Sequence, residues 1–268
     1  MLDLFNTPTP QKSNYQEFLG GGSTRDWIKP RGASMVRIML IGAGGGGGIG
    51  SATAGGGGGG SGAVTSWIGP AIFIPDQLRI VIAAGGTSGV NATVTSVIYQ
   101  AKDGTGYPLL TANGGGSGAA AITAGVAATA SANNYFGASG IFVSTAGQIG
   151  TVGSTTGAGT NQTASATTFL SGGAGGPGAA ANTGGSVTPN YDYTVLPATT
   201  AGGTVVGASG YFITQPILVG CGGAGGSTST AVGTTGGRGG IGCGGGGAGE
   251  DATTAGRGGD GAVFIWTW

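Results

Sequence analysis

The chain has 268 residues, 67 of which are glycine, and its nine basic and nine acidic residues cancel to a net charge of zero. Without clustered Lys and Arg it lacks the electrostatic footprint of proteins that bind nucleic acid or anionic lipid. No apolar run is long enough to cross a bilayer, and the first residues lack the pattern of a signal peptide. Membrane insertion and export by the standard route are therefore not expected.

The glycines come in runs, such as 44–48 and 55–60, and such runs allow two interpretations. Glycine loses more backbone freedom on folding than any other residue, so the chain is either disordered or packed in a way that excludes side chains. Disordered chains combine low hydropathy with high charge, whereas this chain has a mean hydropathy of +0.23 and 7% charged residues. We therefore predict a folded domain.

Residues 1–24 differ in composition from the rest and carry too little apolar area to fold alone. Two Thr-Pro pairs at 7–10 disfavour helix, and a Gly-rich link at 20–23 precedes the main domain. The segment is predicted to be either a disordered terminus or an arm that docks on another protein. The side chains available for docking are Leu2, Leu4, Phe5, Tyr15 and Phe18.

Residues 25–112 are predicted to form a β-rich part. The run 35–41 is rich in apolar and β-branched residues and is followed by glycine, as expected for a strand. Further strands are predicted at 63–68, 78–83, 93–99 and 109–112. No segment of the main domain has a helical period supported by helix formers, although an Ala-rich stretch at 119–132 leaves a helix open there.

The chain closes with a predicted strand at 262–268. Its alternation places Val263, Ile265 and Thr267 on one face and Phe264, Trp266 and Trp268 on the other.

Residues 113–261 alternate between Gly-rich stretches and polar or aromatic inserts. A polyproline-II helix has three residues per turn and no internal hydrogen bonds, so its buried amides and carbonyls need lateral partners. Glycine removes the Cβ and lets such helices approach one another. We predict a bundle of polyglycine-II helices on a β-rich cap, supported by aromatic side chains: Trp27, Trp67, Phe73, Trp266 and Trp268.

The predicted fold is thus mostly β and irregular, with essentially no α-helix in the main domain. It comprises a docking arm at 1–24 and a glycine-rich domain at 25–268. That domain divides into a β-rich part at 25–112, a polyglycine-II bundle with loop inserts at 113–261, and the closing strand.

The ordered set of these segments resembles the glycine-rich domain of bacteriophage tail-fibre and other virion proteins. The resemblance spans 25–268 and rests on the segments 27–32, 36–48, 55–62, 172–178, 222–226, 242–247 and 258–266. The long fibre-tip adhesins of T-even-like phages are similar in layout, with polyglycine-II helices holding out variable loops that touch the host. The arm does not match the fibre-attachment domain of those adhesins, which leaves the position on a virion open.

The resemblance implies that the inserts contact a host-cell receptor, either an outer-membrane protein or a glycan. Their Tyr, Asn, Ser and Gly content is also typical of binding loops. The alternative for each aromatic side chain is that it plugs an end of the bundle. The candidates for receptor contact are Asn133, Asn134, Tyr135, Phe136, Asn190, Tyr191, Asp192, Tyr193, Tyr211 and Phe212.

Motifs for cofactors and catalysis are weak. Residues 42–47 match G-x-G-x-x-G after a strand, but no helix former follows and no acidic residue occurs between Asp26 and Asp76. We expect no cofactor and, without histidine or evidently paired carboxylates, no enzyme. Glu250 and Asp251 could join Asp260 around a cation, but we favour a solvated turn.

The two cysteines, Cys221 and Cys243, each lie among glycines. Either a disulfide or two buried free thiols fits this pattern, and the absence of a signal peptide favours the thiols. Two cysteines do not form a zinc site without carboxylate ligands.

These observations predict a non-enzymatic virion structural protein, a fibre or spike component that binds the host surface and is assembled in the host cytoplasm. The same class includes a capsid-decorating or fibre-anchoring protein that docks on other virion proteins through the arm, as a monomer or an oligomer. From a different class, glycine-helix bundles also serve as ice-binding proteins. Those need glycine at every third position along nearly the whole chain, which the strands and inserts interrupt.

Overall fold

A computed structural model of the chain describes residues 13–120, 122–132, 139–165, 167–178, 182–189, 205–213, 219–228 and 233–268. The described part contains strands and irregular backbone but no α-helix, which confirms the predicted fold class. The longer strands are β1 (Asn14–Phe18), β2 (Ser23–Ile28), β3 (Met35–Ile41), β4 (Val64–Pro70), β5 (Gln77–Ile82), β6 (Thr95–Gln100), β7 (Gly106–Ala112), β8 (Ile141–Thr145) and β13 (Ala262–Thr267). Two-residue strands β9 to β12 are Gln162–Thr163, Val187–Thr188, Phe212–Ile213 and Val219–Gly220, and a 3-10 turn spans Ala71–Phe73.

The cap is a sandwich of two antiparallel sheets. One has the order β1-β13-β3-β4-β8 and the other β2-β5-β6-β7. Alternating side chains from both sheets meet between them, including Ile38 of β3 and Leu78 of β5, which are fully buried. Trp27 and Trp67 fill the same core with at most 1% of their surface exposed. Burial of each such apolar side chain contributes about 1.5–3 kcal/mol.

The strand predictions agree with the structure to within a few residues, and β3 has the predicted bounds. In β13, Val263 and Ile265 face the sandwich core, whereas Phe264 and Trp266 belong to a second apolar cluster on the opposite face. This confirms the predicted alternation. Phe73 does not support the bundle as expected, because 53% of its surface is exposed on the cap.

The segment interpreted as a docking arm contains all of β1 and the first two residues of β2. β1 pairs with β13 along Asn14–Phe18, and β2 pairs with β5 across the proposed boundary at residue 24. The sequence NYQEF of β1 has no buried-strand pattern, and it becomes a strand because the edge of β13 offers backbone partners. β8 was also missed, although its sequence, IFVST, is β-branched and aromatic.

The bundle begins where the strands end. The chain continues from β3 into a run at 42–50, turns at Ser51–Ala54, and returns along 55–63 into β4. The same path is repeated by runs that follow β7 and β8 and by the run at 255–261 that leads into β13. The Ala-rich stretch 122–132 also lies in a run and not in a helix. We call the sandwich side of the bundle the cap end and the opposite side the far end.

Hydrogen bonds between runs recur at every third residue. Gly45 and Gly48 donate to the carbonyls of Gly60 and Gly57, at 2.9 and 2.7 Å. Gly44 and Gly47 donate instead to the run at 256–259. This period of three is the signature of polyglycine-II packing, in which successive amides point to different neighbours.

The run 243–249 is enclosed by other runs. Its amides donate to carbonyls in the runs at 234–240, 171–174 and 45–48, taking these neighbours in rotation. Its carbonyls accept from amides in the runs at 56–62, 223–226 and 256–259. The run therefore donates hydrogen bonds to three neighbouring runs and accepts them from three others. In this way its buried amides and carbonyls all find partners without forming a sheet.

Close approach explains why the runs are glycine. A Cβ at Gly47 would overlap the carbonyl of Gly246, and one at Gly244 would overlap the carbonyl of Gly59. Neither glycine has a positive φ, so the requirement is for space and not for left-handed backbone. Alanine occurs where a run leaves room for a methyl group, as at the fully buried Ala174 and Ala248.

Candidate functional site

Of the residues proposed for receptor contact, the structure describes Tyr211 and Phe212. Phe212 stacks on Phe264 with ring centroids 6.4 Å apart, and it covers the outer face of the larger sheet. Tyr211 packs half-buried against a small cluster that includes Cys221, and its carbonyl accepts from the Cys221 amide at 2.9 Å. Tyr211 thus packs on the bundle and Phe212 on the adjoining sheet of the cap. The remaining candidates lie outside the described residues: Asn133, Asn134, Tyr135, Phe136, Asn190, Tyr191, Asp192 and Tyr193.

The described residues show where the inserts leave the bundle. Thr188 lies at the cap end, where its carbonyl accepts from Ala164 at 2.8 Å. Val205 lies at the far end, where its carbonyl accepts from the Thr234 hydroxyl at 2.7 Å. The described residues on either side of this insert, Thr188 and Val205, therefore lie at opposite ends of the bundle.

The two described docking candidates lie on opposite faces of β1. Phe18 points inward and packs against the sandwich core. Tyr15 points outward, with 49% of its surface exposed, and its ring lies 5.3 Å from that of Trp266. Leu2, Leu4 and Phe5 lie outside the described residues.

Tyr15 belongs to a row of side chains across the outer face of the larger sheet. The strand registers align Tyr15 with Trp266, Trp266 with Arg37, and Arg37 with Ile68. These residues, with Asn14 and Trp268, line a groove of about 450 Å³, which we call the aromatic groove. Each strand contributes one outward residue to the row because side chains alternate between faces.

The groove combines a charged side chain with aromatic area. The Arg37 guanidinium lies over the Trp266 ring, 5.2 Å from its centroid, and has no carboxylate partner among the described residues. The Tyr15 hydroxyl donates to Glu17 at 3.2 Å. Burial and then the nearby Glu17 charge raise the pKa of Tyr15, so the hydroxyl stays protonated. Sequence reasoning missed Arg37, because only the strand register places it beside Trp266.

The cysteines are free thiols, both buried within the bundle. Burial raises the pKa of Cys221 to about 12, against a smaller lowering by its hydrogen bond from Ser171. Burial likewise raises the pKa of Cys243, and the neighbouring Cys221 adds to the shift. Thiolate is the reactive form of cysteine, so this pair is structural at neutral pH.

An ion cluster fastens the cap end of the bundle. The Asp260 carboxylate accepts from Arg257 at 2.6 Å and Arg238 at 2.9 Å, and also from the Gly85 amide at 2.8 Å. Asp260 is therefore bonded to two arginines at the cap end, whereas Glu250 and Asp251 lie at the far end of the same bundle. The three carboxylates are thus too far apart to surround one cation. Within the described ranges no group of His, Cys, Asp and Glu is arranged to hold a metal ion.

The G-x-G-x-x-G match lies inside the bundle. The amides of Gly44, Gly45 and Gly47 are bonded to carbonyls of other runs, so these amides are not directed at a phosphate as the fingerprint requires. No helix in the described part of the chain has the length and apolar character that spanning a membrane would require.

The cap and the three-residue bonding pattern together define a glycine-rich bundle domain. The chain matches the family described as glycine-rich domain over residues 19–267, and it belongs to that family. Among curated proteins, a search finds no match. The family match starts within the segment 1–24 and includes β2 but not β1.

Proposed function

We propose that this protein is a non-enzymatic structural component of a bacteriophage virion, a fibre or spike protein that binds the host-cell surface. The observation that carries the proposal is the self-contained bonding of the bundle. Runs such as 243–249 satisfy their amides and carbonyls with other runs, so the inserts between runs are free to vary in sequence without loss of the fold. A rigid scaffold with variable loops is what recognition of a changing surface needs.

The composition of the inserts supports this role. The segment 187–197 combines two tyrosines with Asn, Asp and Thr side chains, a mixture that supplies rigid aromatic area and adaptable hydrogen bonding. Asp192 is the one charged residue of the segment 187–197. Contact with a glycan or an outer-membrane protein would then depend on stacking and hydrogen bonds and only weakly on salt.

Adsorption of the purified protein to host cells tests the proposal. Replacing Tyr191 and Tyr193 together by Ala should reduce cell binding on the order of tenfold or more, as expected for aromatic anchors. The matched control replaces Tyr99 and Tyr107, an exposed cross-strand pair on the cap, which should leave adsorption unchanged. Equal binding by both double variants would remove this insert from the receptor site, and failure of the unaltered protein to bind would remove the adhesin role.

A second function, anchoring on other virion proteins, is favoured by the aromatic groove at the start of β1. Residues 1–12 enter the described structure at Ser13, which lines this groove. Deletion of 1–12 removes Leu2, Leu4 and Phe5 but keeps β1. If these residues dock the protein, the deleted form should fold yet fail to enter virions, whereas normal incorporation would exclude the anchoring role of the segment.

A further inference from the structure

The 3-10 turn at Ala71–Phe73 displays large apolar side chains at the base of the cap, on the side away from the bundle. Ile72 is 84% exposed and Phe73 is 53% exposed. Ile28, at the end of β2, directly precedes Lys29, whose ammonium bonds to the backbone of this turn, and is 71% exposed. We call these three residues the apolar knob. Exposed apolar residues scattered singly need no explanation, but a contiguous group of them marks an interaction surface.

The backbone under the knob is held in place by a partly buried lysine. The Lys29 ammonium donates to the carbonyls of Ile74 at 2.8 Å and Ala71 at 3.2 Å. It also pairs with Asp76 at 2.9 Å, and only 18% of the Lys29 side chain is exposed. Pro70 and Pro75 bracket the turn and restrict it further. A preorganised apolar protrusion loses little conformational entropy when it binds, which suits it to act as an anchor.

The same chain carries a surface that complements the knob. The aromatic groove offers Tyr15, Ile68 and Trp266 as apolar walls, and Arg37 is the one cation among the described residues that line it. At the knob, the Asp76 side chain is 91% exposed, and its pair with Lys29 uses Oδ1. Both surfaces therefore present apolar area, and their charges are of opposite sign.

The knob and the groove lie next to each other, because the backbone of Ser34 is hydrogen-bonded to both. The Ser34 amide donates to the carbonyl of Trp268 in the groove at 2.7 Å, and the Ser34 carbonyl accepts from the Ala71 amide at 2.9 Å. A protrusion and a groove side by side on one surface can be exchanged between two copies across a two-fold axis, so that both contacts form at once.

We propose that the knob of one chain inserts into the aromatic groove of a second copy, forming a two-fold symmetric dimer through the base of the cap. Ile72 and Phe73 contact the walls formed by Tyr15 and Trp266, and Asp76 faces Arg37 of the other copy. Both bundles then point away from the interface. This assembly is independent of whether the inserts bind a host receptor.

Sedimentation equilibrium of the full-length protein tests the dimer. The unaltered chain should show a concentration-dependent dimer, and the double variant Ile72→Ser/Phe73→Ser should raise the dissociation constant on the order of a hundredfold, the effect expected for two central anchors. The matched control is Val126→Ser, an exposed apolar residue on the bundle, which should leave dimerisation unchanged.

Charge reversal tests the pairing directly. Asp76→Arg and Arg37→Asp should each weaken the homodimer, whereas a mixture of the two variants should restore a heterodimer, since each contact then joins opposite charges. Circular dichroism of each variant confirms that it is folded. Three results would each overturn the proposal: a wild-type protein that stays monomeric, a dimer that is insensitive to the Ile72/Phe73 change, or a mixture that fails to associate. The first result would mean that the knob binds a different protein.

Discussion

The amide of Gly59 donates to the carbonyl of Gly245 at 2.8 Å, and three residues earlier Gly56 donates to Ala248 at 2.9 Å. These bonds join two runs from opposite parts of the chain, both enclosed by other runs. Neither run can satisfy its own backbone, because polyglycine II has no internal hydrogen bonds. The stability of each therefore depends on how closely the other approaches.

Replacing Gly59 by Ala should destabilise the protein by about 3 kcal/mol or more, at the upper end for overpacking. The added Cβ would overlap the carbonyl of Gly45, and backbone enclosed on all sides does not move aside. Denaturant unfolding measures the change. The control is Gly157→Ala, where the nearest atom to the added Cβ is Ser154 Oγ at 3.8 Å; this variant should be neutral or slightly stabilising. Equal stability of the two variants would contradict the packing.

Replacing Asp260 by Ala should lower the free energy of unfolding by about 2 kcal/mol, because the Gly85 amide and two guanidinium groups lose their acceptor. Much of this loss comes from Gly85, since the arginines are 50% and 40% exposed and such pairs contribute little. Asp260→Asn keeps an acceptor for Gly85 and should cost less. Thermal unfolding at low and high salt separates the two contributions, and an Asn variant as unstable as the Ala variant would contradict this division.

The buried thiols should make stability fall at alkaline pH. The pKa of Cys221 is raised from 9.0 to about 12, so between these values the folded state holds a proton that the unfolded state has released. The contribution to stability is complete below pH 9 and declines as the pH rises towards 12. The free energy of unfolding is measured against pH for the wild type and for the double variant Cys221→Ala/Cys243→Ala. The difference between the two curves isolates the contribution of the thiols from that of other titrating groups. Both thiols should also resist a thiol reagent at pH 8 until the protein is unfolded.

Deletion of residues 1–12 should leave the thermal unfolding temperature nearly unchanged, whereas deletion of 1–24 should lower it strongly or prevent folding. The longer deletion removes β1 and the first residues of β2, which strips Phe18 from the sandwich core and exposes the edge of β13. A folded 1–24 deletion would show that β1 and the start of β2 contribute little to the cap.

The period and composition of the sequence were enough to predict the longer strands and the kind of bundle. Met35–Ile41 is recognisable because it is rich in apolar and β-branched residues and is followed by glycine, and glycine runs exclude any packing that needs side chains. The groove was not predictable, since Arg37, Tyr15 and Trp266 lie far apart in sequence and meet only through strand register. The exposure of Phe73 also depends on the turn clamped by Lys29, for which the sequence carries no local signal.

The amino-acid sequence by itself determines that the backbone must pack without side chains, because glycine runs leave only amides and carbonyls to form contacts. It does not determine which run bonds to which, since these groups are chemically identical from run to run. The tertiary structure decides this: the strand order of the cap and the turns at the far end set each run's position, and the period of three then assigns partners such as Gly59 and Gly245.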